Sequence, residues 1–103
     1  MYRKGADLER YLVRKYRARG YVAWRTPQSR SPVDLIIYDP RTKKWMLVQV
    51  KKIGKGKYYE ARFKKDIEQL SEFARIFEND RNVEVWLWVW VLPERRWIKK
   101  QIK

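Results

Sequence analysis

The sequence predicts one α/β domain over residues 1–103, with a central mixed β-sheet flanked by helices in the order α-β-β-β-α-β-β. Two segments show the spacing of apolar side chains that is typical of amphipathic helices, at 5–19 and 60–78. Short apolar runs bounded by turn residues predict the strands. Apolar residues make up 45% of the 103-residue chain, which is enough for one core.

The first predicted helix, 5–19, places Leu8, Leu12 and Tyr16 on one face, and Gly20 is a natural stop. The second, 60–78, has apolar residues that step by 4, 3, 4 and 3. The other predicted elements, in order, are a strand at 21–25, a loop with two prolines at 26–32, strands at 33–38 and 45–51, a basic loop at 51–59, and strands at 83–92 and 97–102. The strand at 83–92 is apolar on both faces, so we expect a central position for it.

Charge indicates the kind of partner. Lys and Arg number 26 against 12 acidic residues, a net charge of +14. The positive side chains repel one another and destabilise the folded chain unless a polyanion offsets their charge. This favours a nucleic acid as partner. An anionic membrane surface is the weaker alternative, because no basic amphipathic helix stands alone. The chain has no apolar run near the roughly 20 residues of a membrane helix. Its charged N-terminal segment shows no secretory signal, so we expect a cytoplasmic, intracellular protein.

Two missing residue types narrow the chemistry. The chain has no Cys and no His. This excludes disulfides, thiolate chemistry, Ser-His-Asp catalysis and the usual zinc sites. An enzyme built from this sequence would use carboxylates, amides, hydroxyls and Lys. Oxygen ligands suit Mg²⁺ or Mn²⁺.

The hairpin formed by the second and third predicted strands, "VDLIIYDPRTKKWMLVQVKK", carries polar groups in an apolar setting. With a turn at 39–44, Tyr38 faces Trp45, and the same register places Asp34 opposite Gln49. Lys51 lies two residues further on the same face. Three polar groups thus converge at one end of the hairpin. They are either a buried polar network, strand ends that reach solvent, or a functional site.

An acid and a carbonyl oxygen can together hold a divalent cation that activates water and stabilises charge on a phosphate. A nearby Lys can position that water or neutralise the phosphorus centre. A strongly basic chain with a small acidic site suits phosphodiester hydrolysis of a nucleic acid.

The same residues resemble a known family. Asp34 followed after 14 residues by Gln49-Val50-Lys51 is similar to the core of PD-(D/E)xK nucleases, which have a restriction-endonuclease-like fold. Residues 3–75 as a whole resemble archaeal Holliday junction resolvases within that superfamily. "VDLII" matches the segment of the catalytic Asp, and "LVQVKK" the acid-x-Lys strand.

Two further segments carry the resemblance. "RKGADLERYLV" is similar to the family's N-terminal helix, whose Glu is a metal-site acid, and Glu9 matches it. "GYVAWRTPQS" is similar to the strand and loop that hold a Ser needed for activity; Ser29 matches best and Ser31 second. The apolar residues at i+3, i+4 and i+7 from Glu9 place it on the sheet-facing stripe of its helix. An acid in a first helical turn also complements the helix dipole, which is the structural alternative.

The resemblance implies a metal-dependent, structure-selective DNA endonuclease. Glu9, Asp34, Gln49 and the backbone carbonyl of Val50 would hold Mg²⁺ or Mn²⁺, with Lys51 and Ser29 as further catalytic residues. Gln49 departs from the usual Glu, and supplies a carbonyl oxygen but no charge. Two alternatives stay open: a restriction or repair nuclease similar to Mrr, whose relatives carry Gln-x-Lys, and a DNA-binding module without metal chemistry.

Basic residues around these segments are candidates for contacts with the phosphate backbone of a four-way junction. They are Arg3, Lys4, Arg25, Arg30, Lys52, Lys55 and Lys57. Trp86, Trp88 and Trp90 share one face of their strand. We expect them to form core beneath a helix, with a homodimer contact as the alternative suggested by the dimeric resolvases.

Overall fold

The computed structural model describes residues 4–27 and 31–103, without the side chain of Lys4. Within these residues five strands form one mixed sheet in the order β1-β2-β3-β4-β5. Only β3 and β4 pair in parallel, and the other neighbours are antiparallel. The strands are β1 (Val22–Arg25), β2 (Leu35–Asp39), β3 (Lys44–Ile53), β4 (Val83–Val91) and β5 (Arg96–Gln101).

Two helices pack on the sheet. Helix α1 spans Lys4–Ala18, and α2 spans Lys64–Ala74. The predicted helix at 60–78 is therefore shorter than expected, because 3₁₀ turns at Glu60–Phe63 and Arg75–Phe77 occupy its two ends. Such tightening is common at helix termini. The predicted order of helices and strands and the α/β class are confirmed.

Each face of the sheet has its own core. On one face Leu12, Val13 and Tyr16 of α1 pack with Leu35 and Val48 of the central hairpin. On the other face, α2 and its flanking turns pack against β3 and β4. The parallel β3–β4 pair requires a crossover, and α2 supplies it. The sheet is thus covered on both faces, as an α/β chain requires.

Strand β4 lies inside the sheet between β3 and β5, while β3 takes the middle position. Its Trp88 is 1% exposed and stacks on Tyr16 of α1, with ring centroids 5.6 Å apart. Trp86 is only partly buried, at the margin of the same cluster. Core beneath a helix is therefore the role of Trp88, and α1 covers the centre of the tryptophan face.

The hairpin register follows the prediction. Tyr38 lies opposite Trp45, and Leu35 lies opposite Val48. The turn places Lys43 in the left-handed region at φ 61°, and its N–H donates to the Asp39 carbonyl over 2.7 Å. The Asp39 carboxylate also accepts from the Arg41 N–H at 3.0 Å, which fixes the turn. A fixed turn sets the register of both strands, and the register decides which side chains reach the functional site.

Candidate active site

The polar end of the hairpin opens into a cavity of about 660 Å³. Its walls come from α1, the segment before β2, strand β3 and α2. The polar side chains that line it are Glu9, Ser31, Asp34, Gln49, Lys51, Asp66, Gln69 and Glu72. The three predicted hairpin residues, Asp34, Gln49 and Lys51, therefore share the cavity with Glu9 of α1.

Asp34 is held by backbone and side-chain hydrogen bonds where the chain enters β2. Its N–H donates to the Val48 carbonyl over 2.7 Å, and its carbonyl accepts from the Thr26 N–H over 3.0 Å. Its carboxylate oxygen Oδ2 accepts from the Val50 N–H over 2.8 Å. A carboxylate has about four lone-pair sites, so this bond leaves capacity for another partner.

Burial raises the pKa of Asp34 above its ordinary value, although the Val50 N–H and the charges of Lys51 and Arg25 act in the opposite direction. Desolvation disfavours the charged form of a carboxyl. A cation bound at Asp34 would reverse this penalty. Raised carboxyl pKa values in a cleft are a recurrent feature of functional sites.

Glu9 reaches the same cavity from α1. Its side chain is 14% exposed, and its Oε1 accepts from Arg25 Nε over 3.0 Å. Burial raises the pKa of Glu9, the Arg25 hydrogen bond opposes the rise, and the negative charge of Asp34 adds to it. The Glu9 and Asp34 carboxylates therefore repel each other electrostatically, so Glu9 belongs to the acidic site. Arg25, expected as a phosphate contact on the surrounding surface, forms an ion pair with Glu9.

Gln49 is buried, with 8% of its surface exposed. Its side-chain oxygen Oε1 is shielded from solvent and has no hydrogen-bond partner among the described residues. Leaving a buried acceptor unpaired costs about 1–3 kcal/mol. An oxygen left in this state beside two carboxylates suits a cation, because a cation supplies the missing partner.

Lys51 and Asp66 form a contact that the sequence analysis missed. Lys51 Nζ lies 3.4 Å from Asp66 Oδ1, which comes from the first turn of α2. A signal was present in the sequence: Asp66 stands three residues after Phe63 and four before Leu70, beside the apolar stripe of the helix. A residue at that margin points towards the sheet, but the sequence alone does not say which strand it meets.

Some of the remaining predicted site residues lie outside the described residues, and the others are described. Ser29, Arg3 and Arg30 lie outside the described residues, and Lys4 begins α1 with its side chain undescribed. The second serine candidate, Ser31, lines the cavity, and its Oγ accepts from the Val33 N–H over 3.2 Å. Lys52 is partly buried near the end of β3, and Lys55 and Lys57 are exposed in the loop that follows.

That loop depends on one glycine. Gly56 has φ +87°, where an L side chain is strained, and a Cβ there would lie 3.5 Å from Arg62 Nη1. Arg62 also donates to the Lys55 carbonyl at 3.4 Å. The loop that carries Lys55 and Lys57 therefore depends on Gly56 for its backbone conformation.

The donors at the site fit a hard divalent cation. Within residues 4–27 and 31–103, no three carboxylate, His or Cys side chains are grouped to hold a metal. The site instead offers two carboxylates, Glu9 and Asp34, and the unpaired amide oxygen of Gln49. All are oxygen ligands, which Mg²⁺ and Mn²⁺ prefer.

Comparison with known proteins identifies the family. The model of the family described as archaeal Holliday junction resolvase (Hjc) matches residues 1–91. The chain belongs to this family. Membership implies a nuclease, a hydrolase that acts on DNA, and branched DNA as its ligand.

A solved structure of an Hjc protein shares the fold. Hjc from Archaeoglobus fulgidus, a Holliday junction resolvase from an archaeal hyperthermophile, matches with a TM-score of 0.67 at 25% sequence identity. The match covers 97% of this chain and 74% of that chain. No curated protein matches the chain. In the described part of the chain, neither helix has the length and apolar character needed to cross a membrane.

Proposed function

We propose that this Hjc-family chain is a metal-dependent endonuclease that cleaves four-way DNA junctions. The observation that carries the proposal is the convergence of Glu9, Asp34 and Gln49 in one cavity beside Lys51. Two of these groups are carboxyls with raised pKa values, and the third has a buried oxygen that no described residue hydrogen-bonds. Family membership supports branched DNA as the substrate.

The residues have separate roles in this proposal. Glu9, Asp34, the Gln49 oxygen and the Val50 carbonyl would hold Mg²⁺ or Mn²⁺. When bound, the cation would lower the pKa of a coordinated water molecule and stabilise negative charge on the phosphate. The Lys51 ammonium orients the attacking water and donates a hydrogen bond to a phosphate oxygen, which stabilises charge that develops during attack.

Binding and cleavage draw on different residues. The net charge of +14 supplies attraction to phosphates over a wide surface. We propose Lys52, Lys55 and Lys57, which follow Lys51 at the end of β3 and in the next loop, as phosphate contacts. Arg3, Lys4 and Arg30 remain predicted phosphate contacts, and Ser29 remains a predicted catalytic residue.

The test is a cleavage assay in Mg²⁺ and in Mn²⁺ on an immobile four-way junction and on a linear duplex of the same sequence. We expect nicks near the branch point of the junction and little cleavage of the duplex. Equal cleavage of both would favour a restriction or repair nuclease similar to Mrr. Tight junction binding without nicks in either metal would leave a DNA-binding module and contradict the proposal.

We also propose that the protein acts as a symmetric dimer. A four-way junction has two scissile strands related by a two-fold axis, and this chain offers one site. The tryptophan face of β4 is a poor contact because α1 covers Trp88. The opposite face of the sheet has a groove of about 670 Å³ with mainly apolar walls, which include Trp24, Trp45 and Phe77, and it shares Ser31 with the site. A second copy docked on this groove would bury the apolar walls, and the contact would lie close to the active sites of both copies.

Sedimentation tests the dimer. Trp24 is 36% exposed at the groove, so Trp24→Glu should weaken a contact there and shift the protein towards monomer. Tyr11→Glu is the matched control, because Tyr11 is 46% exposed on α1, on the other face of the sheet. A wild-type monomer at micromolar concentration, both free and on junction DNA, would contradict the dimer.

A further inference from the structure

The ion pair between Lys51 and Asp66 joins the catalytic strand to α2. Its N–O distance is 3.4 Å, and the side chains are 39% and 24% exposed. By contrast, the Arg75–Glu72 pair joins residues three apart in sequence, with side chains 74% and 78% exposed. The Lys51–Asp66 contact is therefore a tertiary interaction at the rim of the cavity.

The packing of α2 places Asp66 there. Phe63, Leu70 and Ala74 are buried in the core on this face of the sheet. Their burial fixes the rotation of the helix, so Asp66 and Gln69 line the cavity. The carboxylate position is therefore set by the core rather than by the ion pair itself.

Lys51 has two acidic neighbours with different uses. Its side chain lines the same cavity as Asp34, and its charge opposes the rise in the Asp34 pKa. Within the described chain, however, the ion-pair contact of Lys51 is with Asp66. Gln49, two residues before Lys51 on the same strand, is neutral, and its oxygen has no hydrogen-bond partner among the described residues. An ammonium drawn onto Asp34 would compete with a cation for the same carboxylate.

We propose that Asp66 is a positioning residue that holds the Lys51 ammonium away from Asp34 and so leaves the Asp34 carboxylate to the metal. This inference rests on the proposed function and deepens it. Asp66 acts through Lys51 rather than as a ligand, in keeping with the finding that no three carboxylates of the described residues are grouped for a metal.

A purely structural role gives different expectations. Asp66 lies in the first turn of α2, where an acid complements the helix dipole. In that role its removal would lower the melting temperature and leave the metal affinity unchanged. In the positioning role its removal weakens metal binding, and only while Lys51 is present.

The experiment is a double-mutant cycle with Asp66→Asn and Lys51→Met, measured as Mn²⁺ affinity by electron paramagnetic resonance. We expect Asp66→Asn to weaken Mn²⁺ binding in the wild-type background and to have no effect in the Lys51→Met background. Single-turnover cleavage of a four-way junction by Asp66→Asn should fall by about 10²-fold, the effect of a misplaced catalytic group. Glu68→Gln is the control, because it removes the same charge from an exposed position of α2.

Each outcome decides the inference. Equal weakening of Mn²⁺ binding in both backgrounds would make Asp66 act on the metal itself and overturn it. Unchanged Mn²⁺ affinity in the wild-type background would also overturn it, whatever the cleavage rate. Failure of the wild-type protein to cleave the junction would overturn the proposed function, whereas the Mn²⁺ cycle would still test Asp66. Melting temperatures of all variants identify any loss of folding.

Discussion

Gln49 is the neutral residue of the site, at a position where an acidic side chain would be expected. It lies between Asp34 and Lys51 in the cavity, yet it contributes a neutral oxygen. That oxygen is buried and unpaired within the described residues. An acceptor in this state is unfavourable unless a donor or a cation completes it.

The metal dependence of cleavage tests this residue. If Gln49 ligates through its carbonyl oxygen, Gln49→Glu adds a charged ligand and should lower the Mg²⁺ concentration needed for cleavage. Gln49→Leu removes the ligand and should abolish cleavage. Metal titrations of cleavage by the wild type and both variants separate the cases. The same metal dependence in all three proteins would show that Gln49 is not a ligand.

The two raised pKa values predict opposite effects of pH on activity and stability. Glu9 and Asp34 must be ionised to hold a cation, so the acid limb of the cleavage profile should lie at higher pH than ordinary carboxyls give. When a chelator removes divalent metal, a raised carboxyl pKa means that the folded state binds the proton more tightly than the unfolded state. The stability contribution of these groups is then present at acidic pH and is lost as pH rises through the raised values.

Cleavage rates and melting temperatures across pH 4 to 8 check this prediction. The decline in stability should be smaller in Asp34→Asn, whose amide cannot ionise and still offers an oxygen to the Val50 N–H. A cleavage profile whose acid limb matches that of unperturbed carboxyls would count against the buried pair.

How far the sequence predicts the site differs from residue to residue. Asp34, Gln49 and Lys51 could be placed together because a short turn fixes the hairpin register, which is local information. Asp66 could not, because its contact depends on how α2 rotates on the sheet, and that rotation is set by long-range packing. The unpaired state of the Gln49 oxygen is likewise a property of its three-dimensional surroundings.

Helix α1 is the element that brings Glu9 to the site. It has no covalent link to the hairpin except through β1, so its position depends on packing. Leu12 is 1% exposed and Tyr16 8% exposed, both against the central hairpin and Trp88. The attachment of α1 is therefore hydrophobic, and it lies within two turns of Glu9.

Leu12→Ala measures that attachment. We expect a loss of about 2–5 kcal/mol in the free energy of unfolding, because the substitution leaves a cavity under the helix. Ile76→Ala is the control, since Ile76 is 71% exposed and its loss should cost no more than about 0.5 kcal/mol. Urea unfolding of both variants gives the comparison. Equal effects would mean that α1 is not held by this core.

Elements with strong periodicity were predictable: the ends of α1 lie within one residue of the prediction, whereas those of α2 do not. The apolar steps through α2 predicted a helix, but its flanking residues adopt 3₁₀ turns. The apolar run of β4 predicted an internal strand, whereas the middle place in the sheet belongs to β3. Periodicity reports which face is buried, while sheet order depends on the crossover that α2 makes.

For the whole molecule, we expect charge to govern DNA affinity. A chain with a net charge of +14 that neutralises several phosphates releases the counterions that were condensed on them. Junction affinity should therefore fall by roughly 10³-fold between low and moderate salt. Binding titrations at several salt concentrations give the slope. A flat response would indicate a partner other than nucleic acid.

The central claim is that a small acidic site performs cleavage within a basic surface that performs binding. Asp34→Asn tests it most directly, because the change removes one charge from the site and keeps the oxygen that accepts from the Val50 N–H. Cleavage and binding of one four-way junction are measured in Mg²⁺ for the variant and the wild type. We expect the variant to bind the junction as the wild type does and to leave it uncut. Cleavage near the wild-type rate would remove Asp34 from the site and contradict the account.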